Sequence, residues 1–160
     1  MADVQNSQTV TFVDLIDERD RVIGFASKEW AEKNKFAYRI STVLITSTTG
    51  ELLLKKTIHP NSVAKYASTV EVIVPAGSNY LSVATETVKS KFGSTPALRA
   101  VEYFNLKSGS GSYFSQLFIG VIPATWELHD EFEWVSPEHA AKLSANQECS
   151  AILSKLLTIL

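Results

Sequence analysis

The stretch VIVPAGSNYLSVATETVKSKFG, residues 72–93, decides how this chain is read. β-Branched residues lead to Pro75, a Pro-Ala-Gly-Ser turn follows, and a helical pattern then runs to Gly93. Leu81, Ala84, Val88 and Phe92 recur at offsets of 3, 7 and 11, which places them on one helical face. Ser78 or Asn79 suits the N-cap, and Gly93 suits the left-handed position just past the last turn. The predicted order is a strand over residues 65–74, a glycine turn and a capped helix.

The flanks extend this alternation. Residues 9–17 and 21–26 read as two strands joined by the polar turn Asp17-Glu18-Arg19-Asp20. Ser27 caps a short helix over 28–33. Residues 36–47 form a β-branched strand that Thr48-Thr49-Gly50 turns into another over 51–57. Residues 58–63, with Pro60 and Asn61, read as a loop. Strands over 97–107 and 113–122 share a Ser-Gly-Ser-Gly-Ser tip. No helix follows that tip to aim its N-terminus at a phosphate. A last strand covers 132–135, and Ser136-Pro137 opens a helix. The tail, 147–160, is amphipathic, with Ile152, Leu153, Leu156 and Leu160 on one side. That stripe packs on the sheet, with a dimer contact as its second use. Strands interleaved with helices predict an α/β fold whose mixed sheet lies between helical layers. With no repeat and no linker, residues 1–160 are expected to form one domain.

Composition narrows the function. The chain is 45% apolar and 20% charged, with a net charge of −2 spread along its length. This argues against nucleic-acid or membrane-surface binding driven by charge. The single cysteine, Cys149, allows no intramolecular disulfide and no cysteine-based zinc site. No apolar run approaches the ~20 residues that span a bilayer. The start MADVQNSQTV has neither a basic nor an apolar signal region, so the expected location is the cytoplasm.

Four segments in this order resemble the Nudix hydrolase superfamily, and within it the branch that includes isopentenyl-diphosphate isomerase. They are VDLIDERDRVIGFASKEW, FAYRISTVLITSTTGELLLKK, the stretch 72–93 and HDEFEWVSPEHAAKL. In the second, Tyr38-Arg39 stands where the family often has His-Arg. The stretch 72–93 resembles the Nudix box, whose glutamates hold the divalent metal used in diphosphate cleavage. The resemblance therefore implies a Nudix-like α/β/α sandwich with a mixed β-sheet.

The box is degenerate when read residue by residue. Anchored on Gly93, the family's first Gly becomes Val72, and its first Glu becomes Ser78. The Arg-Glu pair becomes Glu86-Thr87, the apolar position survives as Val88, and the Glu-Glu pair becomes Ser90-Lys91. Gly77 keeps the turn. Residues three and four apart share a helical face, so Thr87, Ser90 and Lys91 point together. Magnesium takes oxygen ligands, usually including carboxylates. Two hydroxyls do not replace anionic ligands, and an ammonium repels the ion. Glu86 is turned about 100° away by the helical pitch. The isomerase branch implies a histidine-rich metal site and a reactive cysteine near the box. Here His59, His129 and His139 are scattered, and Cys149 lies in the C-terminal helix.

The expectation is thus a Nudix-fold protein without the metal-binding glutamates, a non-hydrolytic module for a phosphorylated small molecule, with no cofactor. The alternative is a divergent Nudix-type hydrolase or isomerase-like enzyme, or metal-independent acid–base chemistry in the same cleft. Candidate ligand-binding residues are Tyr38, Arg39, Lys56, Thr87, Ser90 and Lys91, with Lys55 and Lys65 nearby in the pattern. Arg39 supplies a planar fork and the lysines supply point charges. Lys91 is the candidate substitute for the metal. Glu71 and Glu131 are the candidate acid–base residues. Against these stand plainer readings: solvated strand lysines, a structural ion pair at Glu71, a polar turn at His129-Asp130-Glu131, and core packing for Trp30, Trp126 and Trp134.

Overall fold

The computed structural model describes residues 10–57, 64–108 and 111–160. The expected loop at 58–63 and the tip residues 109–110 lie outside the described residues. The sheet is built around β3 (Tyr38–Ser47), most of whose side chains are buried, on both faces. β8 (Gly111–Ile122) runs parallel to β3 from Tyr38↔Tyr113 to Ser47↔Ile122, and β7 (Arg99–Ser108) pairs antiparallel outside β8. On the other edge of β3, β4 (Leu52–Lys56) joins at Ile45↔Leu53 and β6 (Val70–Ile73) at Val43↔Val70. β5 (Tyr66–Ala67) and β9 (Phe132–Val135) pair with β4. A separate hairpin, β1 (Phe12–Ile16) and β2 (Val22–Ser27), is tied to the rest by bridges at Val13↔Pro75 and Ile16↔Ala37.

Alternation along β3 creates two apolar layers. Ile40 and Leu44 face α1 (Lys28–Lys33), α3 (Pro137–Ala145) and α4 (Ala151–Ile159), packing with Ala31, Leu143 and Leu153. Val43 and Ile45 face α2 (Tyr80–Phe92), packing with Ala84 and Val88. This is the expected mixed sheet between helical layers. Among the described residues, no helix is long and apolar enough to cross a membrane.

Three expectations need correction. The strand over 65–74 is broken between β5 and β6, because β3 and β4 diverge there. Thr69 fills the gap: its hydroxyl donates to the Leu53 carbonyl at 2.5 Å and accepts the Ile45 N–H at 2.9 Å. Leu81 is 51% exposed, so the buried face of α2 is Val83, Ala84 and Val88 instead. Leu160 is 57% exposed, whereas Ile152, Leu153 and Leu156 of the tail stripe are buried. The helix has ended by Leu160, which cannot follow the stripe into the core.

Candidate functional site

The loop before α2 is held from several sides. Ala76 N–H donates to the Phe12 carbonyl at 2.9 Å, and Gly77 N–H donates to the Asp14 carboxylate at 3.1 Å. Gly77 has φ +81°, a conformation that costs glycine little. Asn79 is the N-cap, its side chain accepting the Ser82 N–H at 2.9 Å. Ser41 Oγ then donates to the Tyr80 carbonyl at 2.7 Å, fastening the first turn to β3. At the far end Gly93, at φ +78°, donates its N–H to the Lys89 carbonyl. With Val83, Ala84 and Val88 against the sheet, Thr87 and Lys91 are half-buried beside them, while Ser90 is exposed.

Lys91 does not stand alone. Its Nζ lies 3.6 Å from Glu131 Oε1, and Lys55 Nζ lies 4.0 Å from Glu131 Oε2. One carboxylate thus sits between two ammonium groups. The Lys91 ammonium is also 5.9 Å from the centre of the Phe132 ring, a cation–π contact. Phe132 pairs with Lys55 across β4 and β9, and packs against Phe92 at 5.0 Å. Lys56 N–H donates to the Glu131 carbonyl at 2.7 Å, which fixes the backbone that carries the carboxylate. The site therefore combines the last turn of α2 with the β4–β9 edge. Thr87 Oγ1 donates to the Val83 carbonyl at 2.7 Å and is committed to its own helix.

The remaining candidates lie elsewhere. Lys56 alternates to the other face of β4, where it pairs with Tyr66. Tyr38 is buried in the α3–α4 layer and donates its hydroxyl to Glu32 at 2.9 Å. Burial, then the Glu32 carboxylate, raise its pKa. Glu71 pairs with Thr42 and points to that same layer, away from Lys91. Its Oε2 accepts the Ser68 N–H and the Ser150 hydroxyl, each at 2.8 Å. Desolvation raises its pKa and outweighs those two bonds and the field of Lys55. Arg39 is on the α2 face, but Asp20 holds it: Nε donates to Oδ1 and Nη2 to the Asp20 carbonyl, both at 2.7 Å. Burial works against the Arg39 charge, yet the Asp20 bonds raise its pKa. Lys65 pairs with Glu148 at 3.0 Å.

Sequence reading missed Asp20, Tyr80, Tyr103 and the role of Phe132. Tyr80 donates to Asp20 Oδ2 at 3.0 Å, its ring lies 5.5 Å from the Arg39 guanidinium, and Tyr103 meets it edge-on. Asp20 is itself left-handed, at φ +59°. Only its place in a polar turn was legible.

The residues at the box do not fit a divalent cation. Their donors are a helix-bonded hydroxyl at Thr87, an exposed hydroxyl at Ser90 and an ammonium at Lys91, with Glu131 already paired to two lysines. Among the described residues, no three His, Cys, Asp or Glu side chains come together as a metal site.

Comparison with known proteins locates the fold. No protein-family model matches the chain. An uncharacterised Nudix hydrolase of Yersinia pestis is 24% identical over 148 residues, covering 86% of this chain and 80% of that protein. The crystal structure of a hypothetical Nudix protein from Deinococcus radiodurans superposes with TM-score 0.72 at 20% identity, over 92% of this chain and 97% of that one. The MutT protein of Methanosarcina mazei gives 0.58 at 19% identity, over 76% and 90% of the two chains. The Ap4A hydrolase of C. elegans gives 0.54 at 17% identity, over 76% and 94%. The chain has the Nudix fold, and the Yersinia relative supports a place in the Nudix hydrolase superfamily.

Proposed function

We propose that this Nudix-fold chain is a cytoplasmic binding or regulatory module that takes a small phosphorylated anion without metal and without hydrolysing it. The observation that carries this reading is the Lys91–Glu131–Lys55 arrangement. Lys91 stands at one of the positions where the family places metal-binding glutamates. Beside it, β4 brings Lys55 and the segment before β9 brings Glu131, so two ammonium groups flank one carboxylate. All three side chains are part-exposed, at 30–39%, and both N–O separations are long for an ion pair. Such pairs contribute only about 0–1 kcal/mol and yield readily to a better anion. A phosphate brings several acceptor oxygens to ammonium groups that each carry three donors. The Phe132 ring, 5.9 Å from Lys91 Nζ, helps hold the part-exposed ammonium in place.

Titration calorimetry with inorganic pyrophosphate in EDTA tests this. Wild type binds, and Lys91→Glu weakens binding by about tenfold or more, roughly 1.4 kcal/mol. Equal affinity of the two proteins contradicts the assignment of Lys91.

A second reading is favoured by the names of the relatives, which are hydrolases. If the chain turns over a diphosphate, Glu131 is the one carboxylate in this group placed to move a proton. Release of phosphate by wild type that disappears in Glu131→Gln supports that reading.

A further inference from the structure

On the other side of β3, under the β1–β2 hairpin, lies a cleft of about 530 Å³, lined by Lys35, Phe36, Asn105, Lys107, Ser112 and Phe114 among others. We propose that this cleft is a second ligand site, for a small anion attached to an aromatic or other flat apolar body.

Its walls are aromatic and held in place. Phe36 stacks on Trp30 with ring centres 5.4 Å apart, and Phe114 stacks on Tyr103 at 5.5 Å. Neither ring has to reorganise to receive a flat guest, and the volume falls in the range of small-molecule pockets. Strand register brings the polar lining together: Asn105 pairs with Phe114, and Lys107 with Ser112. These four residues therefore share one face of the β7–β8 hairpin.

Among the described residues, the side chains of Lys35, Lys107, Asn105 and Ser112 make no hydrogen bond or ion pair. The acidic side of the rim is different. The Asp17 carboxylate is consumed by its own turn, accepting the Arg19 and Arg21 N–H groups and Arg21 Nε at 2.8, 3.0 and 2.8 Å. The lining holds two carboxylates, Asp17 and Glu18, and two ammonium groups, Lys35 and Lys107. Since Arg21 pairs with Asp17, the unpaired cations among the described residues outnumber the unpaired acid two to one. Lys35 enters the rim from a left-handed backbone, φ +59°, which costs a non-glycine residue energy and aims its side chain differently from helix α1 before it.

The hairpin that closes the cleft is clamped. Asp20, at the end of the β1–β2 turn, is bound by Arg39 and by Tyr80 at the start of α2. This pins the lid-forming turn to the sheet and to the helix, so the cleft is preformed. It is separate from the Lys55–Lys91 site, which lies on the β4 side of β3.

Phenyl phosphate is a suitable probe, read by amide NMR on the full chain, with inorganic phosphate and phenol as controls. Phenyl phosphate is expected to shift the Lys35, Phe36, Lys107 and Phe114 signals saturably, and to bind about tenfold more tightly than either control. The double variant K35A/K107A, which removes only exposed charge, is expected to weaken it about tenfold. Ser112→Trp, which fills the cleft without changing charge, is expected to abolish the shifts, and Lys91→Ala to leave them unchanged. Shifts confined to the Lys55–Lys91 region, or equal affinity in wild type, K35A/K107A and S112W, would overturn the proposal.

Discussion

Asp20 shows how one residue can connect three elements. Its side chain holds Arg39 of β3 and Tyr80 of α2 from the β1–β2 turn, and its left-handed backbone is retained despite the cost. Both partners of the Asp20–Arg39 pair are mostly buried, at 16% and 17% exposure. Removing the acid leaves an uncompensated guanidinium, so Asp20→Ala is expected to cost roughly 3 kcal/mol, measured by urea unfolding. Glu71 behaves differently, because desolvation raises its pKa in the fold. A carboxyl whose folded pKa exceeds its unfolded value stabilises below the unfolded value, and that contribution is lost as pH rises through the folded one. Glu71→Gln keeps an acceptor for Ser68 and Ser150 without the charge. Its Tm is expected to exceed that of wild type at neutral pH, with the difference vanishing near pH 4. A constant difference across that range contradicts the account of Glu71. At the site itself, Glu131→Gln frees both lysines and is expected to raise pyrophosphate affinity roughly fivefold, about 1 kcal/mol.

Among the elements, α2 was the most legible. Its cap alternatives, its apolar period and its terminating glycine were all local signals, and Asn79, Val88 and Gly93 take the expected places. Asn79→Ala is expected to cost about 1 kcal/mol, read as a drop in thermal stability. The break between β5 and β6 was not legible, since nothing in residues 65–74 announces that two partner strands diverge beside them. Thr69 reads as an ordinary β-former in sequence and acts as a bridge only where Leu53 and Ile45 meet it. The exposure of Leu81 has a similar origin: the helical period put Leu81 in the stripe and left Val83 out, and packing against the sheet buries Val83 instead.

For the whole molecule, the order of segments sufficed for the fold, because each strand and helix carried its own pattern. The site is assembled across elements, and this limited the reading. Lys91 and Glu131 are 40 positions apart, and the packing of α2 over the β4–β9 edge joins them. Alternation along a strand puts Glu71 on the face opposite Val70 and Val72. It did not show that the other face is the α4 side, where Ser150 waits. The chain has the Nudix fold, and beside the last turn of α2 it carries Lys91, Lys55 and the carboxylate of Glu131. The most direct measurement is the affinity of the full chain for inorganic pyrophosphate in EDTA, by calorimetry. The account predicts saturable one-to-one binding with no metal present. Binding that is absent in EDTA and appears only on adding magnesium would contradict it.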